Sequence, residues 1–306
     1  MNNTYIFGHQ NPDTDTIASA IAWADLNHKL GNNHYVATRL GGVSRETQFA
    51  LDHFGLSAPE LLTDAAGKQV VLVDHNDFKQ SAPNIEQADI LEIIDHHRIA
   101  GIETATPLYI TMEPLGSTAS VIYKKYMQHN LAIEKPIAGI LLSALLSDTL
   151  ILTSPTTTEE DETIATALAN IAGVDIKTYG DAMLRAGASL EGYSPADIFA
   201  LDRKRFDFAD TGAYVGQVFT FDVDDVFAQK AQLLQAMQSY IDSNDATLAV
   251  LAVTNLATND STMYACGSGI AVAHRAFNFT GDETFLPGVV SRKSQIVPPL
   301  TEAVKA

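Results

Sequence analysis

The sequence predicts an α/β protein in which a larger N-terminal domain, a mainly parallel sheet flanked by helices, is joined by a short hinge to a smaller C-terminal α/β domain. Three observations predict it. Short apolar runs alternate with amphipathic stretches through the first half, the pattern of βα units. A segment broken by two glycines and a proline interrupts the periodicity between Gly187 and Pro195. The length of 306 residues fits two domains at roughly 150 residues each.

Tyr5 to Phe7 reads as a first short strand. A helix is expected over Ile17 to Leu30, because Ile17, Ala20, Ile21 and Ala24 share one face, Asp15 or Thr14 can cap it and Gly31 stops it. Further strands are expected at Tyr35–Thr38, Val70–Val73, Ile90–Ile94 and Leu108–Thr111, and helices at Arg45–Phe54, Ser117–His129, Pro136–Ser147, Glu159–Ile171 and Ile176–Arg185. The most apolar window, Ile137 to Leu152, contains Ser143, Ser147 and Asp148 and falls short of the roughly 18 apolar residues of a membrane span, so it reads as a buried helix. The expected domains are residues 1–187 and 196–306, with 188–195 as the hinge. In the second, Ala213–Phe221 and Thr247–Val253 read as strands around a long amphipathic helix from Val226 to Ile241.

The formal net charge of -18, from 19 Lys and Arg against 37 Asp and Glu, disfavours nucleic-acid backbones and anionic membrane surfaces as partners. A small anion stays compatible if metal ions and a few placed cations reverse the sign locally. The single cysteine, Cys266, excludes an intramolecular disulfide framework, and Met1 to Phe7 runs into Gly8, His9 and Gln10 without a signal-type apolar stretch. The expected compartment is the cytoplasm.

The informative residues follow the strands. His9, Asp13 and Asp15 follow the first, Asp74 and His75 follow Val70–Val73, and Asp95, His96 and His97 follow Ile90–Ile94. In open parallel sheets these carboxyl ends share one rim, where ligands bind at a switch in strand order. A lone Asp after a strand is ordinarily a cap or turn residue, and a lone His ordinarily a satisfied one; His28, His34, His53, His129 and His274 take that reading. Three strand ends that all deliver imidazole and carboxylate need another explanation, because a turn needs no imidazole. Such a donor set suits first-row divalent ions, and the histidines favour Mn or Co over Mg alone. Asp148, closing the apolar run Ile140–Leu146, is costly there unless compensated, and it can complete a ligand shell.

Gly8-His9-Gln10-Asn11-Pro12-Asp13-Thr14-Asp15, Asp74-His75-Asn76, Asp95-His96-His97 and Ser291-Arg292-Lys293-Ser294-Gln295 together resemble the manganese-dependent (family II) inorganic pyrophosphatases of the DHH phosphoesterase superfamily. The resemblance covers the whole chain. It implies that His9, Asp13 and a bridging Asp74 hold one metal, and that Asp15, Asp74, His96 and Asp148 hold a second. The implied cofactor is two Mn2+ per subunit, with Co2+ as a substitute and further Mg2+ or Mn2+ entering with the substrate. It also implies that His97 contacts substrate as a donor and general acid, and that His75 and Asp95 orient the ligands.

Arg292 and Lys293 match the family's phosphate-binding pair, and Lys204, within Asp202-Arg203-Lys204-Arg205-Phe206, its third cation. Ser294 departs from the commonest form, where a second lysine is frequent. The expected reaction is hydrolysis of pyrophosphate to two phosphates between the domains, by a solvent nucleophile bridging the metals. The resemblance further implies a homodimer. Phosphodiesterases of the superfamily usually carry Gly-Gly-Gly-His in the second domain, whereas here Cys266-Gly267-Ser268-Gly269 is followed by Ile270. An exopolyphosphatase, or a relative that binds metal without turnover, is the other alternative.

Overall fold

A computed structural model describes residues 3–99, 101–208 and 211–305. The described residues form two compact units that divide after Gly187. In the first, the chain runs β1 (Thr4–Phe7), α1 (Thr14–Lys29), β2 (Tyr35–Arg39), α2 (Arg45–Phe54), β3 (Glu60–Leu61), β4 (Gln69–Val73), β5 (Asp89–Asp95) and β6 (Tyr109–Met112). Four helices follow: α3 (Thr118–Gln128), α4 (Lys135–Asp148), α5 (Glu159–Ala172) and α6 (Ile176–Gly187).

The sheet order is β3-β2-β1-β4-β5-β6 and every pairing is parallel. Strand order reverses between β1 and β4, which makes their carboxyl ends the switch point of the sheet. One face, through Ile6, Val71, Val73 and Ile94, joins a core cluster to which all six helices contribute. The other, through Phe7, Val70, Leu72 and Ile93, is covered by loops and by short 3-10 turns at Phe78–Gln80 and Ile85–Gln87. Burial on both faces explains why β4 reads as a continuous apolar run. α4 carries ten buried residues from Ile137 to Leu146 and lies at the centre of this core.

Helix α1 begins at Thr14, not Ile17, and its cap is Asp13, not Asp15 or Thr14. Asp15 is already inside the first turn, with its carboxylate committed elsewhere.

The second unit runs α7 (Pro195–Ala200), β7 (Arg203–Phe208), β8 (Thr211–Thr220), α8 (Val223–Phe227), α9 (Lys230–Ser243), β9 (Leu248–Asn255), β10 (Asp260–Cys266), α10 (Ile270–Ala276), β11 (Glu283–Leu286) and α11 (Val297–Lys305). Its sheet, β11-β10-β9-β8-β7, is mixed: β8 and β9 are parallel, the rest antiparallel. The long helix expected over Val226–Ile241 is two helices. Gln229 departs from helical geometry, the Leu233 N–H takes its carbonyl at 2.9 Å to start α9, and Lys230 is anchored by Asp282 and Glu283 at 2.6 and 2.9 Å. No helix among the described residues is long and apolar enough to cross a membrane.

Candidate metal centre

β1 delivers His9 and Asp13 through a loop that lies directly on α1. A Cβ at Gly8 would meet Thr16 Cγ2 at 2.4 Å, so only glycine allows that approach. Asp13 divides its oxygens: Oδ1 accepts the Thr16 N–H at 2.9 Å and caps α1, while Oδ2 faces His9 Nε2 at 3.3 Å. Asp15 is buried. Its Oδ1 accepts the Ser19 hydroxyl and the Ala119 N–H, both at 3.0 Å, and its Oδ2 accepts the Thr118 N–H at 2.6 Å. Those amides open α3, where the helix dipole favours a carboxylate.

Asp74 follows β4 with φ of 58°, a left-handed conformation that Asp tolerates better than most residues. Its N–H donates to the Ile94 carbonyl at 2.9 Å, fixing the turn to β5. The carboxylate then looks two ways. Oδ2 accepts the Thr16 hydroxyl at 2.8 Å and lies 3.7 Å from His9 Nε2, while Oδ1 accepts the Thr118 hydroxyl at 3.1 Å and lies 3.5 Å from His96 Nε2.

Asp95 ends β5, fully buried, and organises the histidines beside it. It accepts the backbone N–H groups of His96 and His97 at 2.8 and 3.1 Å, the Asn76 amide at 2.6 Å and His97 Nδ1–H at 2.9 Å. His96 donates Nδ1–H to the Leu115 carbonyl at 2.9 Å, which leaves Nε2 towards Asp74 and 3.7 Å from Asp148 Oδ2 at the end of α4. His75 is spent on both sides, its Nδ1 on the Val73 carbonyl and its Nε2 on the Ser81 hydroxyl, each at 3.0 Å. It supports the rim and offers no ligand atom.

The donors therefore gather into two groups. Asp15, Asp74, His96 and Asp148 each offer one ligand atom within 4.8 Å of the others, as do His9, Asp13 and Asp74. Asp74 belongs to both. A third grouping joins Asp74, His96 and His97, but the Nδ1 of His97 is occupied by Asp95. A cavity of about 530 Å³ opens on the site, lined by Asp13, Asp74, His96, His97, Asp148 and Thr156 among others.

The electrostatics show what charge the donor set suits. Burial, reinforced by the charge of Asp15, pushes the Asp74 carboxyl up to about 7, and burial with Asp15, Asp74 and Asp13 pushes Asp148 up to about 12. Burial opposes charging His96, but its bond to Asp74 and the charges of Asp15 and Asp74 prevail and raise it to about 9. Burial likewise opposes His9, and Asp13, Asp74 and Asp15 outweigh it. Four carboxylates share this pocket with no Lys or Arg paired to them among the described residues. Divalent cations fit that donor set and relieve its mutual repulsion.

In the second unit the structure separates three neighbouring cations. Arg203 stacks over the Tyr240 ring at 3.5 Å, and Arg205 is tied to Asp207 and to the carbonyls of Asn244 and Asp245. Lys204 stays exposed on β7, opposite Val215 of β8. Arg292 opens a π-helical turn, Arg292–Ile296, and reaches the same place: its guanidinium donates to the Asp202 carboxylate at 2.9 Å, the Asp202 carbonyl at 2.6 Å and the Val215 carbonyl at 3.3 Å. Lys293, next in that turn, is exposed.

Reading the sequence missed Thr16, Thr118, Ser19 and Asn76, which hold the acids, and Asp202, which holds Arg292. Hydroxyls and amides of this kind carry no pattern of their own; their partners lie up to 58 residues away.

Comparison with known proteins matches two family models to the chain, one to each half. The model of the "DHH family, N-terminal domain" matches residues 3–145, and that of the "DHHA2 domain" matches residues 181–303. A Staphylococcus saprophyticus protein named probable manganese-dependent inorganic pyrophosphatase is 48% identical over 99% of both chains. The manganese-dependent inorganic pyrophosphatase of Bacillus subtilis is 46% identical, again over 99% of each. The chain belongs to the manganese-dependent inorganic pyrophosphatases, a family of hydrolases. The crystal structure of a putative family II inorganic pyrophosphatase from Methanococcus jannaschii aligns with 99% of this family member and 100% of its own chain, at 36% identity and a TM-score of 0.64.

Proposed function

We propose that the chain hydrolyses pyrophosphate to two phosphates at the rim of its parallel sheet, with the basic residues of the second unit binding the anion. The observation that carries this reading is Asp74, one buried carboxylate with an oxygen turned to each of two ligand groups. His9, Asp13 and Asp74 would hold one Mn2+, and Asp15, Asp74, His96 and Asp148 a second. When bound, the two ions supply Lewis-acid activation of the attacking water and neutralise phosphate charge, with Co2+ able to substitute and further Mg2+ or Mn2+ arriving with the substrate.

The chain's own groups position and donate. Thr16 and Thr118 fix the two oxygens of Asp74, and Asp95 fixes His97. The Asp95 bond takes up Nδ1 and raises the His97 pKa, which favours the charged ring that would donate from Nε2 to a phosphate oxygen or the departing phosphate. His75 and Asp95 brace the ligands. Lys204, Arg292 and Lys293 would bind the remaining phosphate oxygens, Arg292 sharing its guanidinium with Asp202. A cytoplasmic homodimer that binds no nucleic acid completes the reading, and light scattering checks the assembly.

The deciding experiment is phosphate release from pyrophosphate after chelation and re-addition of Mn, Co, Mg or Zn. Restoration by Mn and Co is expected. Release from polyphosphate, a dinucleotide or an aryl phosphodiester, with pyrophosphate untouched, would overturn the substrate assignment.

A further inference from the structure

Below the Arg292 loop a line of buried polar side chains crosses three strands of the second sheet. The Arg292 backbone N–H donates to Gln217 Oε1 at 2.9 Å. Gln217 Nε2 donates to Thr254 Oγ1 at 2.9 Å, Thr254 and Ser261 are 2.8 Å apart, and the Ser261 hydroxyl donates to the Val289 carbonyl at 2.6 Å. The residues come from β8, β9 and β10, with Thr254 directly opposite Ser261. They are 4%, 1% and 0% exposed.

Every proton direction in this line is determined. Ser261 spends its one hydrogen on Val289, so Thr254 must donate to Ser261, and Thr254 can then only accept from Gln217. The Gln217 amide is oriented in turn, with nitrogen towards Thr254 and oxygen left to accept from Arg292. The line leaves the loop at Arg292 and returns to it at Val289. An apolar side chain would serve the packing of this core better than an amide and two hydroxyls, which are tolerated only while fully paired. Gln295 adds a brace from above, accepting the Val290 and Ser291 N–H groups at 3.0 Å and donating to the Gly288 carbonyl at 2.9 Å.

We infer that Gln217, Thr254 and Ser261 are positioning residues for anion binding, setting the height and register of the loop that presents Arg292 and Lys293. The inference rests on the reading that these two cations bind pyrophosphate. Gln217 aligns the start of the basic turn through its backbone, and Ser261 holds the approach to it from three residues upstream. Neither touches the anion.

The test compares Gln217→Leu, Ser261→Ala and Lys293→Gln in the manganese-loaded enzyme. Losing one such bond is worth about a tenfold change, so KM for pyrophosphate should rise roughly tenfold in Gln217→Leu and less in Ser261→Ala, with kcat and bound manganese near wild type. Amide hydrogen exchange of the 288–296 segment should accelerate in both. A purely structural role would lower the unfolding midpoint and leave KM unmoved; faster exchange with an unchanged KM overturns the inference. Should Gln217→Leu fail to fold, Ser261→Ala decides by the same criteria. If Lys293→Gln itself leaves KM at the wild-type value, the reading of the basic turn fails, and the inference falls with it.

Discussion

In the first unit the reactive side chains leave the carboxyl ends of three neighbouring parallel strands, whereas in the second the cations sit on an edge strand, β7, and on a π-helical turn near the C-terminus. The first arrangement is enforced by the sheet, because β1, β4 and β5 cannot pair in parallel without bringing His9, Asp74 and His96 to one rim. Two of its acids, Asp15 and Asp74, are buried, all four repel one another, and both ligand groups share Asp74. The second arrangement is assembled from local contacts, Asp202 and Val215 to the largely covered Arg292 and Gln217 to the loop, beside two lysines, Lys204 and Lys293, that solvent already stabilises. Damage to the first should therefore spread through the whole cluster, while damage to the second should stay local.

The widest gap between the two is expected for Asp74→Asn. The change keeps shape but removes the charge shared by both ligand groups, and even groups that only support ligands are worth roughly 10- to 100-fold. Phosphate release should fall by more than about 100-fold, and metal retained after dialysis should fall with it. Normal rate and metal content would show that the two groups do not depend on one carboxylate.

Next is the buried support beneath the rim. Burial holds the His75 ring at about 4, below its ordinary 6.5. In the metal-free protein the unfolded chain takes up a proton as pH falls below about 6.5, and the native ring refuses it until about 4, so stability declines through that window. At 1.36 kcal/mol per pH unit the full loss is about 3 kcal/mol. Urea midpoints measured at about pH 7 and about pH 4.5 should converge in His75→Gln relative to wild type. An unchanged pH slope would remove His75 as the cause.

Lys204→Gln and Lys293→Gln should each raise KM for pyrophosphate about tenfold with manganese binding intact, the size of one charge-assisted contact. Arg203→Gln, one residue from Lys204, should leave KM alone because its guanidinium lies on Tyr240. Equal effects at Arg203 and Lys204 would mean that the strand's basic character matters and not its geometry.

The same contrast decides what could be read from the sequence. β4 is Val-Val-Leu-Val beneath helices and loops, and such doubly buried strands stand out as apolar runs, so the rim and its acids were legible together. β7 reads Arg-Lys-Arg-Phe-Asp-Phe and β10 reads Asp-Ser-Thr-Met-Tyr-Ala-Cys; their polar faces hid both from a reading that expected only two strands in that half. Asp13 as the cap of α1 was missed because Asp13, Thr14 and Asp15 are all good caps, and only the commitment of Asp15 to the amides of α3 separates them. Buried hydroxyl partners were illegible for a simpler reason: a threonine that holds a carboxylate is written no differently from one that faces water.

The smallest effect concerns backbone strain. Leu150, Ile151 and Leu152 have φ of 48°, 55° and 64°, a left-handed turn of three bulky residues directly after Asp148 and Thr149. Left-handed backbone costs roughly 1–2 kcal/mol per residue for such side chains. In the second unit the non-glycine positions with positive φ among the described residues are Asp245 and Asn259, types that tolerate it. The turn survives because its neighbours over-determine it. The Ile151 N–H donates to the Leu146 carbonyl at 2.8 Å, and the Thr153 N–H to that of Thr149 at 2.9 Å. The Ile151 side chain also packs on Gly180 of α6, where a Cβ would meet it at 2.9 Å. Leu150 is 57% exposed, so replacing it sacrifices little packing. Leu150→Gly relieves its share of the strain and loses roughly 0.5–1 kcal/mol to the freer unfolded chain, for a net gain of about 0.5–1 kcal/mol in a urea melt. Asp148 should keep its place, and turnover should stay within about twofold, because the anchoring bonds belong to Ile151 and Thr153. A melt that shifts downward would mean that the Leu150 side chain itself braces the end of α4, and a lost rate would mean that strain at this one residue, and not the surrounding bonds, aims Asp148 at its partners.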